Sequence, residues 1–298
     1  MELHAQHRKL VIRPGPRLLA ALAATALTAA LGARAQTTAA VPAPASSAPA
    51  PVPVAAPWRG LDSDNTLVVE TTKGRVVVEM RPDIAPLAVA RIKTLTRRGY
   101  YDGSLFYRVL KDYMAQTGDK GARTFRSDLP NLKAEFTFHR TTDTPFVSVG
   151  DIPGGEVGFV GSSPVTIMKA AAGGQEQAWA QFCPGAAAMP HYDNPDTANS
   201  QMFFMRSWAP SLDKTFTVWG RVVAGQDVIG AINNGEPPPD PDKMTRVRIM
   251  ADIPAAQRPD IRLLDVHGPE FAGRLRQAMQ AKGTNFTLCD VDLSAPAP

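Results

Sequence analysis

The sequence predicts a mainly β, antiparallel fold, and three observations support this prediction. The segment LVVETTKGRVVVEM, residues 67–80, alternates apolar and polar residues on both sides of Lys73-Gly74. The segment TFTVWGRVV, residues 215–223, alternates in the same way. Alternation with a period of two is typical of strands with one buried face, and the glycine in the first segment indicates a hairpin. Helical periodicity, by contrast, is confined to a few short segments.

A helix is predicted directly after the hairpin. Ala85-Pro86 begins it, and Gly99 is a suitable C-terminal stop. Its apolar face consists of Leu87, Ala90, Ile92 and Leu95. Residues 106–110 and 113–117 then predict two strands that are joined by a turn at Lys111-Asp112.

The pattern weakens over residues 120–184, where glycines, prolines and polar residues recur. We expect a long loop insert with a few edge strands, such as FVSVG and VTIMK. The run GGEVGFVG lacks the lysine of a P-loop and the spacing of a dinucleotide-binding motif, so its glycines predict turns. Farther on, residues 201–205, 216–223 and 246–249 predict strands, and residues 228–233 predict a short second helix.

The C-terminal part differs from the rest. Phe271, Leu275 and Met279 recur every four residues, which predicts an amphipathic helix that ends near Gly283. The following NFTLCDV predicts a strand. We expect residues 256–298 to form an extension that packs on the main domain, which should comprise residues 64–255.

The first 35 residues resemble a secretory signal. A basic start precedes an apolar run at residues 18–31 and the small-x-small pattern Ala33-Arg34-Ala35. The run is short of the ~20 apolar residues of a membrane span, although an uncleaved anchor is the competing interpretation. We expect cleavage after Ala35, a periplasmic or secreted protein with no stable membrane span, and an Ala/Pro-rich tether over residues 36–63.

Charge and the scarcity of reactive motifs exclude several functions. Residues 1–35 hold five Arg and Lys against one acid, so the remainder carries 27 of each sign, which argues against a nucleic-acid partner. Neither G-x-S-x-G nor H-E-x-x-H is present. A cation on His191, Asp193 and Asp196 is less favoured than a simple turn, so no metal or cofactor is predicted. Cys183 and Cys289 either pair or remain two buried thiols.

Four segments together resemble the cyclophilins, the cyclosporin-binding peptidyl-prolyl cis-trans isomerases. These segments are RRGYYDGSLF, FYRVLKDYMAQTGD, NPDTANSQMFFM and LDKTFTVWGRVVAGQDVI. Their order and spacing agree with the family over about residues 66–250. The resemblance implies a closed antiparallel β-barrel with a helix over each open end. It also implies that proline-containing polypeptides bind in a groove on the outer barrel wall.

The resemblance assigns Arg108 as the catalytic residue. Rotation about an X-Pro bond leaves a localised lone pair on the proline nitrogen, and a permanent donor such as arginine can stabilise that state. The alternative interpretation is an arginine paired with a surface carboxylate. Gln116 is expected to orient Arg108 or to bind the substrate backbone. Tyr107 stands where the family often has histidine.

The remaining site residues also follow from the resemblance. Tyr113, Met114, Phe203 and Leu212 should line a slot for the proline ring, with Phe216 at its edge; from pattern alone each would be a core residue. Gln201 should support the neighbouring site, and His191 and Tyr192 should bind substrate backbone. The expected function is a prolyl isomerase that assists the folding of exported proteins. The alternative is a non-catalytic, cyclophilin-like peptide-binding module or chaperone.

Overall fold

The computed structural model describes residues 57–118, 126–170 and 175–294 of the 298-residue chain. The predicted signal at residues 1–35 and most of the predicted tether lie outside the described residues. Among the described residues, no helix has the length and apolar character that crossing a membrane requires.

Fourteen strands and three α-helices are formed by the described residues. The strands are β1 (Trp58–Gly60), β2 (Thr66–Thr71), β3 (Gly74–Met80), β4 (Arg108–Leu110), β5 (Met114–Thr117), β6 (Phe146–Ile152), β7 (Gly155–Val160), β8 (Ser163–Met168), β9 (Gln177–Ala180), β10 (Ala186–Met189), β11 (Met202–Met205), β12 (Thr217–Ala224), β13 (Met244–Ile249) and β14 (Arg262–Leu264). The helices are α1 (Pro86–Arg97), α2 (Gln226–Ala231) and α3 (Phe271–Lys282).

Eight strands form one curled antiparallel sheet in the order β13-β2-β3-β12-β10-β11-β5-β4. The predicted hairpin at residues 67–80 is confirmed as β2 and β3, in which Thr71 pairs with Gly74. Gly74 adopts φ +138°, which side-chain-bearing residues rarely adopt, and this explains why the turn contains glycine. The strands predicted near residues 106–117, 201–205, 216–223 and 246–249 are also present.

The two end strands of this sheet, β13 and β4, do not pair with each other as strands. The backbone N–H groups of Gly103, Met244 and Phe106 instead donate to the carbonyls of Met244, Ser104 and Asp242, over 2.7–2.8 Å. This short seam precedes β4, whose own outer edge pairs with Gly235 through Val109. The sheet therefore curls into a barrel, as expected. The barrel is not closed by continuous pairing of its end strands, β13 and β4.

Both helices predicted on the barrel are present. The predicted apolar face of α1 is correct for Ile92 and Leu95 but wrong for Leu87 and Ala90, which are exposed. The buried residues of α1 are Ala88, Val89, Arg91, Ile92, Leu95 and Thr96. Four of them join the barrel core, which also takes Ile229 of α2. Gly99 follows α1 with φ +65°, so the predicted helix stop is confirmed.

The expectation of a long loop insert is only partly correct. The predicted strands FVSVG and VTIMK are present in β6 and β8, but residues 146–180 form a second antiparallel sheet in the order β6-β7-β8-β9. The glycines of GGEVGFVG had predicted turns, and only some of them lie in turns. Gly154 and Gly161 do occupy turns with positive φ, but Gly155 and Gly158 lie inside β7. A Cβ atom on Gly158 would lie 2.0 Å from the carbonyl oxygen of Val147 on the neighbouring strand. Close approach of strands, rather than turning, explains these two glycines.

The C-terminal segment packs on this second sheet as well as on the barrel. Helix α3 begins at the predicted Phe271, but the strand predicted over residues 285–291 is wrong, because two 3₁₀ turns, Gly283–Asn285 and Leu288–Asp290, occupy that segment. Phe271, Leu288 and Val291 share a hydrophobic cluster with Phe159 of β7. In addition, β14 pairs with β1, and Cys183 is disulfide-bonded to Cys289.

Candidate active site

Three predicted site residues form one row across neighbouring strands. Arg108 of β4 lies opposite Gln116 of β5, which in turn lies opposite Phe203 of β11. Directly opposed residues of antiparallel strands place their side chains on the same face, with Cβ atoms about 4.5–5.5 Å apart. The sheet therefore brings the guanidinium, the amide and the aromatic ring to one side of the barrel wall.

Aromatic rings form the apolar part of this face. Phe203 lies edge-to-face with Phe216, with ring centroids 5.6 Å apart, and is stacked on Phe182 at 6.1 Å. Phe216 also contacts the ring of His191 at 4.7 Å. Met114 and Phe203 are each 3% exposed. The partly buried residues Tyr113, Leu212 and Phe216 pack against the same core.

Arg108 is half-exposed and forms an ion pair. Its Nε donates to Oε1 of Glu236 over 2.5 Å, and the two side chains are 37% and 56% exposed. A pairing with a surface carboxylate, the alternative interpretation of this arginine, is thus present. Within the described residues, however, the terminal Nη1 and Nη2 groups of Arg108 have no hydrogen-bond partner. Four N–H donors of the guanidinium remain available for another acceptor.

Gln116 belongs to a three-residue hydrogen-bond network. Its Nε2 donates to the Tyr107 hydroxyl over 2.7 Å and to Oε1 of Gln201 over 2.9 Å. The Tyr107 hydroxyl donates to the same Oε1 over 2.5 Å. Gln116 makes no hydrogen bond to Arg108 among the described residues, so of its two expected roles only substrate binding agrees with this geometry. The Tyr107 hydroxyl therefore contacts the side-chain amides of both Gln116 and Gln201.

His191 and Tyr192 lie in the loop that follows β10. Each ring nitrogen of His191 lies within hydrogen-bond distance of a carbonyl oxygen, that of Tyr192 at 2.5 Å and that of Thr215 at 2.7 Å. The backbone N–H of Tyr192 donates to the Thr197 hydroxyl over 2.9 Å. The peptide groups of Tyr192 are thus occupied, whereas those of His191 have no partner among the described residues. An open pocket of about 100 Å³ lies here, lined in part by Gln116, His191, Tyr192 and Gln201.

Sequence reasoning missed two residues of this site. Phe182 is fully buried and supports Phe203 and Phe216, but it lies within the segment predicted as loops. Its position directly before Cys183 was the available signal of burial. Glu236 lies in the polar, proline-rich run NNGEPPPDP, and nothing in that run indicates which side chain the carboxylate meets.

Asp213 links the loop that carries Leu212 to the buried ring. One carboxylate oxygen accepts from the backbone N–H of Phe182 over 2.9 Å, and the other accepts from Nε1 of Trp179 over 3.3 Å. Burial raises the pKa of this carboxyl, although both hydrogen bonds and the nearby Lys214 act in the opposite direction. No group of three metal-ligating side chains exists within the described ranges.

Comparisons with known proteins identify the family to which this chain is similar. A sequence profile of the family described as cyclophilin type peptidyl-prolyl cis-trans isomerase/CLD matches residues 66–251. A probable peptidyl-prolyl cis-trans isomerase of Brucella suis biovar 1 is 33% identical over 208 residues, covering 64% of this chain and 85% of that protein. Peptidyl-prolyl cis-trans isomerase CYP71 of Arabidopsis thaliana is 30% identical over 169 residues, covering 56% of this chain and 20% of that protein.

A solved structure extends the similarity beyond the profile. The crystal structure of cyclophilin AquaCyp293 from Hirschia baltica superposes with a TM-score of 0.72 at 30% sequence identity. The match covers 80% of this chain and 91% of that one. Because the profile match spans only residues 66–251, this coverage indicates that the similarity extends to part of the N- or C-terminal flanks.

Proposed function

The chain belongs to the family of cyclophilin-type peptidyl-prolyl cis-trans isomerases, and from that premise we propose how its own residues act on an X-Pro bond. It is a peptidyl-prolyl cis-trans isomerase. The single observation that supports the proposed site is the row formed by Arg108, Gln116 and Phe203. In this row, a guanidinium whose terminal nitrogens have no partner among the described residues shares one face with an aromatic slot.

The reaction requires a fixed donor rather than an acid or a base. The planar X-Pro amide resists rotation with a barrier of ~18–20 kcal/mol, because the nitrogen lone pair is delocalised into the carbonyl. In the twisted state the lone pair returns to the nitrogen, which becomes a better hydrogen-bond acceptor. Arg108 donates to this nitrogen and therefore stabilises the twisted amide more than either planar form. No bond breaks and no proton is transferred, so no titrating residue is needed.

The slot fixes the proline ring while the rest of the amide turns. Met114, Phe203 and Phe216 contact the ring, with Tyr113 and Leu212 at the sides. The peptide groups of His191, which have no partner among the described residues, hold the substrate backbone together with the Gln116 amide. Gln201 keeps the Gln116 side chain in place. Because these groups act on the backbone and on proline, the substrate class is proline-containing polypeptide without further cofactor.

A coupled protease assay tests this proposal. A peptide with an Ala-Pro bond is cleaved by the protease only in its trans form, so the isomerase accelerates the slow phase. The chain without residues 1–35 should abolish this lag at catalytic concentrations, while Arg108→Ala should restore it. A folded wild-type chain that binds the peptide but leaves the slow phase unchanged would contradict the proposal and support a binding module.

We further propose that the enzyme acts on exported proteins in the periplasm or outside the cell. The signal-like residues 1–35 support this, and so does the Cys183–Cys289 disulfide, since such bonds persist in oxidising compartments. X-Pro isomerisation takes tens to hundreds of seconds without catalysis, which limits the folding of some exported chains. Cell fractionation followed by N-terminal sequencing should find a mature chain that begins at Gln36. Full-length protein retained in the cytoplasm would contradict export.

A further inference from the structure

We infer that Glu236 is a positioning residue that holds Arg108 in the orientation that the twisted amide requires. This inference rests on the proposed function of Arg108. The carboxylate touches Nε, the nitrogen nearest the side-chain stem, and leaves Nη1 and Nη2 free of partners among the described residues. A contact that blocked the arginine would instead occupy the terminal nitrogens, which carry the donors used on a substrate.

The backbone fixes Glu236 beside the arginine. Gly235 exchanges two backbone hydrogen bonds with Val109, over 2.8 and 2.9 Å, so the residue before Glu236 pairs with the residue after Arg108. Arg108 itself lies opposite Gln116 on the other side of β4. The backbone of Glu236 is therefore anchored at the edge of β4 that β5 does not occupy.

Side-chain hydrogen bonds hold residues 233–242, the segment that contains Glu236. The Asn233 backbone N–H donates to Oδ2 of Asp242 over 2.8 Å, and the Asn233 side-chain amide donates to the Asp240 carbonyl over 2.9 Å. Arg206, which follows β11, donates from Nη1 to Oδ1 of Asn234 over 2.5 Å. Because both ends of the segment are held, the position of Glu236 is set before any substrate binds.

Two opposing effects of the carboxylate decide its role. Its charge weakens the field of the guanidinium, but both side chains are more than one third exposed, so water screens this loss. Its hydrogen bond restricts a long and otherwise rotatable side chain, and small errors in placement lower catalysis strongly. Water does not screen this restriction of the Arg108 side chain in the way that it screens the charge. The gain in orientation should therefore exceed the loss of field, and Glu236 should favour catalysis.

Steady-state kinetics of four single variants and one double variant on the prolyl peptide test the inference. Glu236→Ala should lower kcat about five- to tenfold with KM changed less than about twofold. The reason is that Arg108 donates to the proline nitrogen in the twisted state, so a poorly oriented Arg108 lowers the rate more than it weakens substrate binding. Glu236→Gln keeps an oxygen that accepts from Nε and should retain most of the activity. Asp240→Asn removes a charge from the same segment without touching Arg108 and should match wild type. Arg108→Lys has no Nε, so adding Glu236→Ala to it should produce no further loss.

The outcomes separate this inference from the proposed function. If the wild-type protein is more active than Arg108→Ala, the proposed function is supported regardless of the activities of the Glu236 variants. With that activity established, a Glu236→Ala enzyme as fast as or faster than wild type would overturn the positioning role. An equal loss in Asp240→Asn would also overturn it, because the effect would then be one of net charge. Unchanged thermal unfolding midpoints would confirm that the variants are folded.

Discussion

Cys183 is disulfide-bonded to Cys289 across 106 residues of chain, and it directly follows Phe182, the buried ring that supports Phe203 and Phe216. The bond therefore joins the aromatic side of the barrel to the C-terminal segment. The sequence alone left two alternatives open, a pair or two buried thiols. A single covalent link thus connects the site on the barrel with the second hydrophobic cluster around Phe271 and Val291.

Removing this disulfide should destabilise the whole fold. Because the bond closes a loop of 106 residues, replacing both cysteines by serine should lower the free energy of unfolding by about 2–4 kcal/mol. Denaturant unfolding of the double variant measures this loss, and wild-type protein unfolded in reductant is the control. Equal stability of the oxidised, reduced and substituted proteins would show that the link contributes nothing.

Replacing Arg108 by alanine should lower kcat/KM about 10²–10³-fold, which is the loss typical when one transition-state donor is removed. Arg98→Ala is a matched control, since Arg98 is also an exposed arginine with a carboxylate partner, Asp128. It should leave kcat/KM unchanged. Both variants should unfold at the wild-type denaturant concentration. An Arg108→Ala protein that isomerises like Arg98→Ala would remove Arg108 from the mechanism.

Local chemistry explains which parts were predictable from sequence. The β2–β3 hairpin follows from alternation around Gly74, and α1 follows from the apolar spacing between Pro86 and Gly99, since both depend on neighbours along the chain. In the sheet of residues 146–180, β6 and β8 were expected as edge strands. The strand between them, β7, was missed because Gly155 and Gly158 read as turn residues, and only the approach of a neighbouring strand explains them. The resemblance to the family assigned Arg108 as the catalytic residue, and this assignment stays a prediction. The partner of Arg108, Glu236, is 128 residues away, so no local pattern could identify the pair.

Glu79 of β3 should stabilise, in a pH-dependent way, the contact of the barrel with β1 and with the second sheet. Its 6% exposed carboxylate pairs with Arg59 over 2.7 Å and accepts from the Ser162 N–H over 3.0 Å. Burial alone would raise the pKa of Glu79, but Arg59, Arg81 and the Ser162 bond outweigh it and lower the pKa below its ordinary 4.5. The stability that the ionised Glu79 contributes is fully present above its ordinary pKa. It is lost as the pH falls through the lowered pKa of the folded state.

Glu79→Gln should therefore lower the free energy of unfolding by about 2 kcal/mol at neutral pH, since it leaves a partly buried guanidinium without its countercharge. The difference from wild type should shrink as the pH falls below 4.5, where wild type loses the same contribution. Glu70→Gln, in the exposed pair with Arg75, should change stability by less than about 0.5 kcal/mol. A difference that does not vary with pH would contradict this linkage. Denaturant unfolding at several pH values measures it.

Phe182 should affect substrate binding through the rings that it supports. Phe182→Leu removes the stacked contact with Phe203 and the edge contact with Phe216, so the slot should widen and KM should rise about three- to tenfold with a smaller change in kcat. Phe159→Leu is the matched control, because Phe159 is equally buried but packs against Phe271 in the second cluster. Each variant should lose about 1–2 kcal/mol of unfolding free energy. A rise in KM that is the same in both would show that the effect comes from general loosening of the fold and not from the slot.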